Sequence, residues 1–187
     1  RTAVLVPWAI PTVVSARMWA WMYNDVVGVI NDMAMRLGLI DSPIAWLSNQ
    51  STALMAVVIM EVWKTTPFMA LLILAGLQII PGDVYEAADI DGASKVRQFF
   101  SVTLPLLRPA ILVALIFRTL DSLRIFDAIK VMTNGGSGTE VMSTYAHRNL
   151  FDFQKLGYGN AISVVIFIII AIFVVVYITT LGIGEEE

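Results

Sequence analysis

The sequence predicts an all-α protein, a polytopic membrane helical bundle with about four spans. Of the 187 residues, 58% are hydrophobic and only 14% are charged, whereas soluble domains have about a quarter of their residues charged. The clearest span lies near the C-terminus, where residues 156–184 carry no charge and Val164 to Val176 are all apolar. Three further apolar segments precede it. Because about 20 residues cross the hydrocarbon as a helix, and strands usually stop by about 10, length favours helices over strands.

Composition also excludes several kinds of site. The chain has no cysteine, which rules out disulfides, thiol catalysis and Cys-type metal sites. His147 is the one histidine, and a zinc site normally needs several such ligands, so we expect no metal site. The net charge of −3 arises from scattered groups. It therefore indicates neither nucleic-acid binding nor a polybasic lipid patch.

The predicted spans are about residues 2–23, 52–80, 106–126 and 156–183, all within one transmembrane domain of residues 1–187. Four spans put both chain ends and the loop around Glu86 on one side of the membrane, and the loops 24–51 and 127–155 on the other. The count of Lys and Arg is tied between the two sides, so the positive-inside rule leaves the orientation open. Because the chain begins at Arg1 and leads directly into apolar sequence, we expect part of the protein to precede it.

A polar segment between the second and third spans predicts a short surface helix. Pro81 and Gly82 interrupt the second span, and Asp83 precedes Glu86 by three residues, the spacing of a capping box. Gly92 is suited to end this helix, because glycine adopts the left-handed conformation that other residues avoid. The pattern alone is more typical of an amphipathic helix at the lipid interface than of a docking element.

A second short helix is predicted directly after the glycine bend. Ser94 is placed to cap it, and we expect it to run through about Ser101. Pro105 then suits the first turn of the next span. The segment 82–105 should therefore form a helix, a glycine bend and a helix between two membrane helices.

The residues of this loop resemble a known motif at fixed spacing. Glu86-Ala87-Ala88, then Gly92, then Val102 and Leu104-Pro105 are similar to the EAA loop of ATP-binding-cassette (ABC) importer permeases, with Val102 where the family usually has Ile. Further stretches resemble the carbohydrate branch of these permeases, the maltose and glycerol-phosphate type, and somewhat more loosely the first permease subunit of trehalose importers. The stretches for the carbohydrate branch are Leu5-Val6-Pro7-Trp8, residues 28–31, Glu61-Val62-Trp63-Lys64, residues 76–81, residues 126–127, Thr133-Asn134-Gly135-Gly136 and Leu156-Gly157-Tyr158-Gly159. The looser match to trehalose importers lies in Arg118-Thr119-Leu120-Asp121 and residues 61–68.

The resemblance implies a type I ABC-importer permease core with a cytoplasmic coupling loop at residues 82–105. Its first helix would sit in a cleft of an ATPase subunit, with Glu86, Ala87, Ala88, Asp89 and Gly92 as the coupling residues. Such permeases usually have six or more spans, so we expect the missing spans to be N-terminal to this chain.

The resemblance also implies a set of partners and a location. The partners would be a second homologous permease subunit, an ATPase dimer, an extracytoplasmic sugar-binding protein and the lipid bilayer of a bacterial or archaeal cell, crossed several times. The chain has no phosphate-binding Gly-x-x-x-x-Gly-Lys-Ser/Thr sequence, so it would not be an enzyme. It would hold no cofactor itself, with ATP and Mg bound by the ATPase. The cargo would be a di- or oligosaccharide, trehalose- or maltose-like.

Five ionisable residues inside the predicted spans form a candidate polar belt. By helical rise, Arg17, Lys64, Arg118 and Asp121 lie roughly 18–24 Å from the cytoplasmic side, with Glu61 slightly beyond them. Glu61 with Lys64 and Arg118 with Asp121 are i,i+3 pairs on one helical face. Charges at this depth are costly unless paired or hydrated. Two interpretations stay open: structural ion pairs, slightly favoured, or groups that line the sugar path.

Two other function classes compete with the importer hypothesis. An ion-coupled secondary transporter or channel would use Glu61, Arg118 and Asp121 as a relay, but it does not predict an EAA loop. An intramembrane enzyme would need a reactive constellation, and none is evident. Trp19, Trp21, Tyr23 and Trp46 are interpreted as interfacial anchors rather than sugar-stacking platforms.

Overall fold

The computed structural model describes residues 5–181, and every regular element among them is helical, which confirms the all-α class. The α-helices, in chain order, are α1 Val6–Ala9, α2 Thr12–Met22, α3 Val29–Arg36, α4 Ala53–Ile79, α5 Gly82–Ile90, α6 Lys95–Gln98, α7 Leu104–Leu106, α8 Arg108–Leu123, α9 Asp127–Met132, α10 Met142–His147 and α11 Leu156–Leu181. Two π-helical turns, Phe99–Thr103 and Arg148–Asp152, continue α6 and α10.

Two helices within residues 5–181 are long and apolar enough to cross a membrane, over Ala53–Ile79 and Leu156–Tyr177. A third crossing is formed if the bent pair Lys95–Leu106 and Arg108–Leu123, which turns by 63°, counts as one span. The helices that could span therefore lie close to three of the four predicted segments.

The predicted first span, residues 2–23, is not one helix in the part of the chain that is described. It consists of the four-residue α1 and the 11-residue α2. The cause is Pro11, which has no backbone donor and disfavours helical geometry at the residue before it. Ile10 accordingly has an extended ψ of 133°, and the chain is broken there.

Contacts divide the chain into two compact units. The first contains residues 5–67 and 123–169. Small residues let its helices approach: Ala16 of α2, Ala56 of α4 and Ala128 of α9 are 0–1% exposed. They share a core with Tyr23, Val57, Met60, Ile129 and Met132. This core holds the first half of α4 against α2 and α9.

A buried amide orders the loop after α3 in the same unit. Asn31 is 2% exposed, and its side chain donates to the Ile44 carbonyl at 2.9 Å and accepts from the Ile44 amide at 3.2 Å. The Trp46 indole Nε1 also donates to Asn31, at 2.8 Å. The segment after α3 is therefore fixed although it lacks regular structure.

The second unit contains residues 68–122 and 170–181. A β-carbon built on Gly76 would lie only 2.4 Å from the β-carbon of Ala110, so α4 and α8 meet at this glycine. Phe68 and Phe117 pack edge to face, with centroids 6.1 Å apart. The Thr119 and Tyr177 hydroxyls are 3.0 Å apart and link α8 to α11. This unit carries the whole of the predicted coupling loop.

Candidate coupling loop and intramembrane polar groups

The first short helix of the loop, α5, begins earlier than its predicted cap at Asp83. Pro81 occupies the N-cap position with an extended ψ of 142°, and no side chain caps the helix. The predicted capping box between Asp83 and Glu86 is therefore wrong. Because Pro81 sets the helix start, Asp83 falls within the first turn, where its negative charge is stabilised by the positive end of the helix dipole.

Gly92 ends α5 as predicted. Its φ is +69°, in the left-handed region that glycine adopts without strain. The Gly92 amide donates to the Asp89 carbonyl at 3.0 Å, and the Ala93 amide donates to the Ala88 carbonyl at 3.0 Å. These two bonds are those of a Schellman motif. The bend therefore satisfies the carbonyls at the end of the helix.

The second short helix starts as predicted and ends later. The Ser94 side chain accepts a hydrogen bond from the Arg97 amide at 3.4 Å, which confirms the cap. Beyond Gln98 the helix continues through the π-helical turn and α7 to Leu106, so the predicted end at about Ser101 is wrong. Pro105 lies at the start of α7, directly after the π-helical turn, and the helix continues through it.

The five predicted coupling residues do not share one environment. Glu86 and Ala87 are exposed, whereas Ala88 is only 9% exposed. Gly92 forms the bend. The Asp89 carboxylate bonds to the second short helix. The surface that α5 offers to another molecule therefore includes Glu86 and Ala87, while Ala88, Asp89 and Gly92 shape the hairpin.

Asp89 belongs to a hydrogen-bonded cluster that the sequence did not indicate. The Lys95 ammonium donates to both Asp89 carboxylate oxygens, at 2.9 and 3.1 Å, and to the Gln98 side-chain oxygen at 3.2 Å. The Gln98 amide donates to Asp89 and to the Ala93 carbonyl. The hydrogen bond from Lys95, followed by that from Gln98, contributes most to holding the pKa of the Asp89 carboxyl below its usual range. The Lys95 and Asp89 side chains are 79% and 54% exposed, so solvent screens their ion pair.

A second bond ties α5 to the π-helical turn at the far end of the second short helix. The Tyr85 hydroxyl lies 3.0 Å from the Thr103 hydroxyl, and Thr103 is 8% exposed. By contrast, the apolar residues Ile90, Val96 and Phe100 are 87%, 70% and 61% exposed. Polar bonds, rather than these side chains, hold the hairpin together.

In the first unit, Lys64 is 8% exposed, and its ammonium donates to the Ile10 carbonyl and, at 3.5 Å, to the Trp8 carbonyl. The last carbonyls of a helix have no partner within the helix itself, and α1 ends at the break before Pro11. Lys64 therefore supplies donors to a helix end. Glu61, one turn earlier on α4, is 9% exposed.

The other members of the predicted belt are less buried. Arg17 is exposed on α2 in the first unit. Arg118 and Asp121 are half-buried on α8 in the second unit. The i,i+3 spacing of Arg118 and Asp121 places them on one side of that helix, as predicted.

The predicted aromatic anchors largely form a packed cluster instead. Trp19 lies 5.6 Å from both Tyr23 and Trp63 between ring centroids, and Tyr23 lies 6.0 Å from Trp46. Tyr23 is 4% exposed, whereas Trp21 is 64% exposed. Of the four, Trp21 has the exposure that an interfacial anchor needs.

The glycine-rich loop after α9 is internally bonded. The Thr133 and Thr139 hydroxyls are 2.6 Å apart, and the Thr139 hydroxyl also donates to the Gly136 carbonyl at 2.6 Å. Arg148 pairs with Glu140 at 2.6 Å beside the loop. Four residues there have positive φ, namely Asn134, Gly135, Ser137 and Gly138. The segment is therefore a sequence of tight turns with defined contacts.

Apolar helices of membrane-spanning length, joined by an exposed helix–glycine–helix hairpin, define a polytopic membrane component. The family model described as "Binding-protein-dependent transport system inner membrane component" matches residues 1–183, and the chain belongs to this family. The resemblance drawn from the EAA motif is thereby confirmed.

Similar proteins are permease components of transport systems. The trehalose/maltose transport system permease protein MalF of Thermococcus litoralis is 51% identical over 95% of this chain and 60% of its own length. The sulfoquinovosyl glycerol permease SmoG of Agrobacterium fabrum is 48% identical, over 89% of this chain and 54% of its own length. The trehalose permease SugA of Mycobacterium tuberculosis is 45% identical, over 97% of this chain and 57% of its own length. The chain thus spans little more than half the length of these relatives.

Solved structures share the fold. A bacterial ABC transporter involved in the import of the acidic polysaccharide alginate has a TM-score of 0.89 at 23% identity, covering 99% of this chain and 65% of that one. A bacterial alginate ABC transporter in complex with an alginate pentasaccharide-bound periplasmic protein has a TM-score of 0.79 at 26% identity. The match covers 96% of this chain and 62% of the transporter chain. These similarities confirm the permease fold predicted from the sequence.

Proposed function

We propose that the chain is the transmembrane permease subunit of an ATP-driven sugar importer, multi-pass in a bacterial or archaeal cell membrane. It would pass a di- or oligosaccharide, trehalose- or maltose-like, from an extracytoplasmic binding protein to the cytoplasm. The names of the relatives at 45–51% identity support the sugar class. The observation that carries the proposal is the hairpin Gly82–Leu106, whose exposed α5 is joined at its two ends to α4 and, through a bend, α8.

The hairpin has the features that a coupling element requires. Glu86 and Ala87 are exposed for contact with another protein, and the small side chain at Ala87 allows a cleft wall to approach closely. The Glu86 carboxylate would face basic or polar groups of an ATPase subunit. Movement of α5 would then be passed to the helices on both sides and would alternate access to a central cavity.

The remaining partners follow from the same proposal. A second homologous permease would complete the sugar path, and two ATPase copies would bind ATP and Mg²⁺. The loops at residues 32–51 and 133–148 would receive the binding protein. Support for defined receiving surfaces comes from the Asn31 bonds and the internally bonded turns after α9.

The intramembrane charges divide into two proposed roles. Lys64 would hold the broken start of the bundle together, because its donors already bond to carbonyls at the end of α1. Glu61, buried one turn away, would act with it. Both interpretations stay open for Arg118, Asp121 and the exposed Arg17: they would either form structural ion pairs or contact sugar hydroxyls.

The test is transport by the complete importer in proteoliposomes. Glu86→Arg reverses the charge that α5 presents, and Gly92→Pro replaces a φ of +69° by one of about −65°. Both variants should abolish sugar uptake and the sugar-dependent stimulation of ATP hydrolysis. Gly82→Ala is the matched control, because an added β-carbon there meets no atom within 4 Å and uptake should persist.

Normal uptake by both variants would contradict the assignment of the hairpin. Uptake that follows an ion gradient without ATP, with no ATPase in the purified complex, would favour an ion-coupled transporter instead.

A further inference from the structure

Gln98 is a buried amide in a hairpin whose surroundings are largely exposed. The residue is 3% exposed, and both polar atoms of its side chain are bonded. Its amide nitrogen donates to the Asp89 carboxylate and to the Ala93 carbonyl, and its oxygen accepts from the Lys95 ammonium at 3.2 Å. Asp89 lies on the helix before the glycine bend and Lys95 on the helix after it. Gln98 therefore bridges the two helices and the bend itself.

The π-helical turn gives this bridge a second point of attachment. Thr103, which bonds to Tyr85 of α5, follows Gln98 by five residues. In an α-helix of 3.6 residues per turn, two such residues would point about 140° apart. The i→i+5 bond from the Leu104 amide to the Phe99 carbonyl adds a residue to this turn. Both side chains consequently reach α5.

We propose that Gln98 is a positioning residue that makes the hairpin Gly82–Leu106 a rigid lever. The inference rests on the proposed coupling function and specifies how the hairpin would transmit movement. An added β-carbon at Gly92 would have no neighbour within 4 Å, so side-chain packing does not brace the bend itself. The bonds of Gln98 at the bend and of Tyr85 at the far end hold α5 against the second helix at two separate points. A push on α5 therefore displaces the second helix instead of opening the bend.

The test changes the charge and the hydrogen-bonding capacity of the side chain at position 98 in the assembled importer. Gln98→Glu places a second carboxylate against Asp89 and removes the donor to Ala93, and Gln98→Leu removes all the polar bonds. The double variant Asp89→Asn with Gln98→Glu exchanges the polarity. The amide introduced at position 89 can then donate to the carboxylate introduced at position 98, and Lys95 can still bond to that carboxylate. Gln78→Glu is the matched control, since Gln78 is exposed at the end of α4.

Two quantities are measured: amide hydrogen exchange in the peptide that covers Gly82–Leu106, and the amount of sugar transported per ATP hydrolysed. Loss of a charge-assisted bond predicts roughly tenfold faster exchange in the α5 amides of Gln98→Glu, and a lever that bends predicts less sugar transported per ATP. The double variant should recover part of both quantities, and Gln78→Glu should change neither.

The outcomes separate this inference from the coupling proposal. Unchanged exchange in Gln98→Glu and Gln98→Leu would overturn the bridge. Faster exchange with normal transport per ATP would overturn the lever, and so would a double variant no better than Gln98→Glu. Neither outcome alters the result expected for Glu86→Arg and Gly92→Pro. An importer that works without an ATPase would instead refute the proposed function while leaving the exchange result intact.

Discussion

The substitution Lys64→Met removes a charge while keeping an apolar side chain of similar length. In the native chain the Lys64 ammonium bonds to the Ile10 and Trp8 carbonyls, where Pro11 has broken the helix. Hydrogen bonds from charged donors contribute about 1.5–3 kcal/mol each, and the bond to Trp8 is long. The Ile10 carbonyl would lose this partner, and Glu61 would lose a nearby positive charge. We expect a loss of about 2–4 kcal/mol in the free energy of unfolding.

The assay is thermal unfolding of the detergent-solubilised importer, with the yield of assembled complex as a second measure. At about 2–4 °C per kcal/mol for a chain of this length, the transition in which this subunit unfolds should shift down by about 4–16 °C. Lys155→Met is the control, because Lys155 is exposed and its ammonium lies 5.7 Å from the Phe153 ring centre. A variant with a normal midpoint and altered sugar affinity would refute the structural role and favour the sugar path.

Two further predictions concern the second unit. Gly76→Leu should abolish assembly of the importer, measured by co-purification, because even a β-carbon at this position lies 2.4 Å from that of Ala110; normal assembly would show that α4 and α8 do not pack there. The Asp89 carboxyl has a lowered pKa in the folded hairpin, so its stabilisation is present above the unfolded pKa of about 3.9 and is lost as the pH falls through the folded value. Hydrogen exchange of the hairpin, corrected for the intrinsic rate, should therefore rise below about pH 4 in the native chain. Asp89→Asn should not show this change, and equal pH dependence in the two would contradict the Asp89 bonds.

Features that depend on local geometry were predictable from the sequence. Length and apolarity identified α4 and α11, since about 20 apolar residues in a row have few other stable solutions. Gly92 could be placed at a helix end because few other residues adopt a φ of +69°. The Ser94 cap follows from its position before the helix, and the EAA spacing carried the family assignment.

Other local features depended on competition between signals. Asp83 and Glu86 have the spacing of a capping box, but Pro81 starts the helix first and leaves the box unformed. The apolar segment 2–23 has the length of a span, yet Pro11 divides it. In both cases proline geometry prevails, because a missing donor and a fixed φ are covalent constraints whereas a cap is worth about 1 kcal/mol.

Contacts between distant residues could not be predicted from the sequence. Lys64 bonds to a carbonyl 54 positions earlier in the chain, a contact that its i,i+3 spacing from Glu61 could not reveal. The second attachment of the hairpin, between Tyr85 and Thr103, depends on a π-helical turn, which has no reliable sequence signal. A glutamine in a charged stretch was the one available sign of the bridge made by Gln98, and its burial is visible only in the structure.

The central claim, that α5 contacts an ATPase subunit, is tested most directly by cross-linking. The chain has no cysteine, so Ala87→Cys introduces a single thiol on the exposed side of α5. Ser48→Cys introduces one in the loop 24–51, where Ser48 is exposed. In the assembled importer, a short thiol-to-amine reagent should join the ATPase to the Ala87→Cys variant and not to the Ser48→Cys variant. The claim would be contradicted if the ATPase became attached to the Ser48→Cys variant, or if it did not become attached to the Ala87→Cys variant.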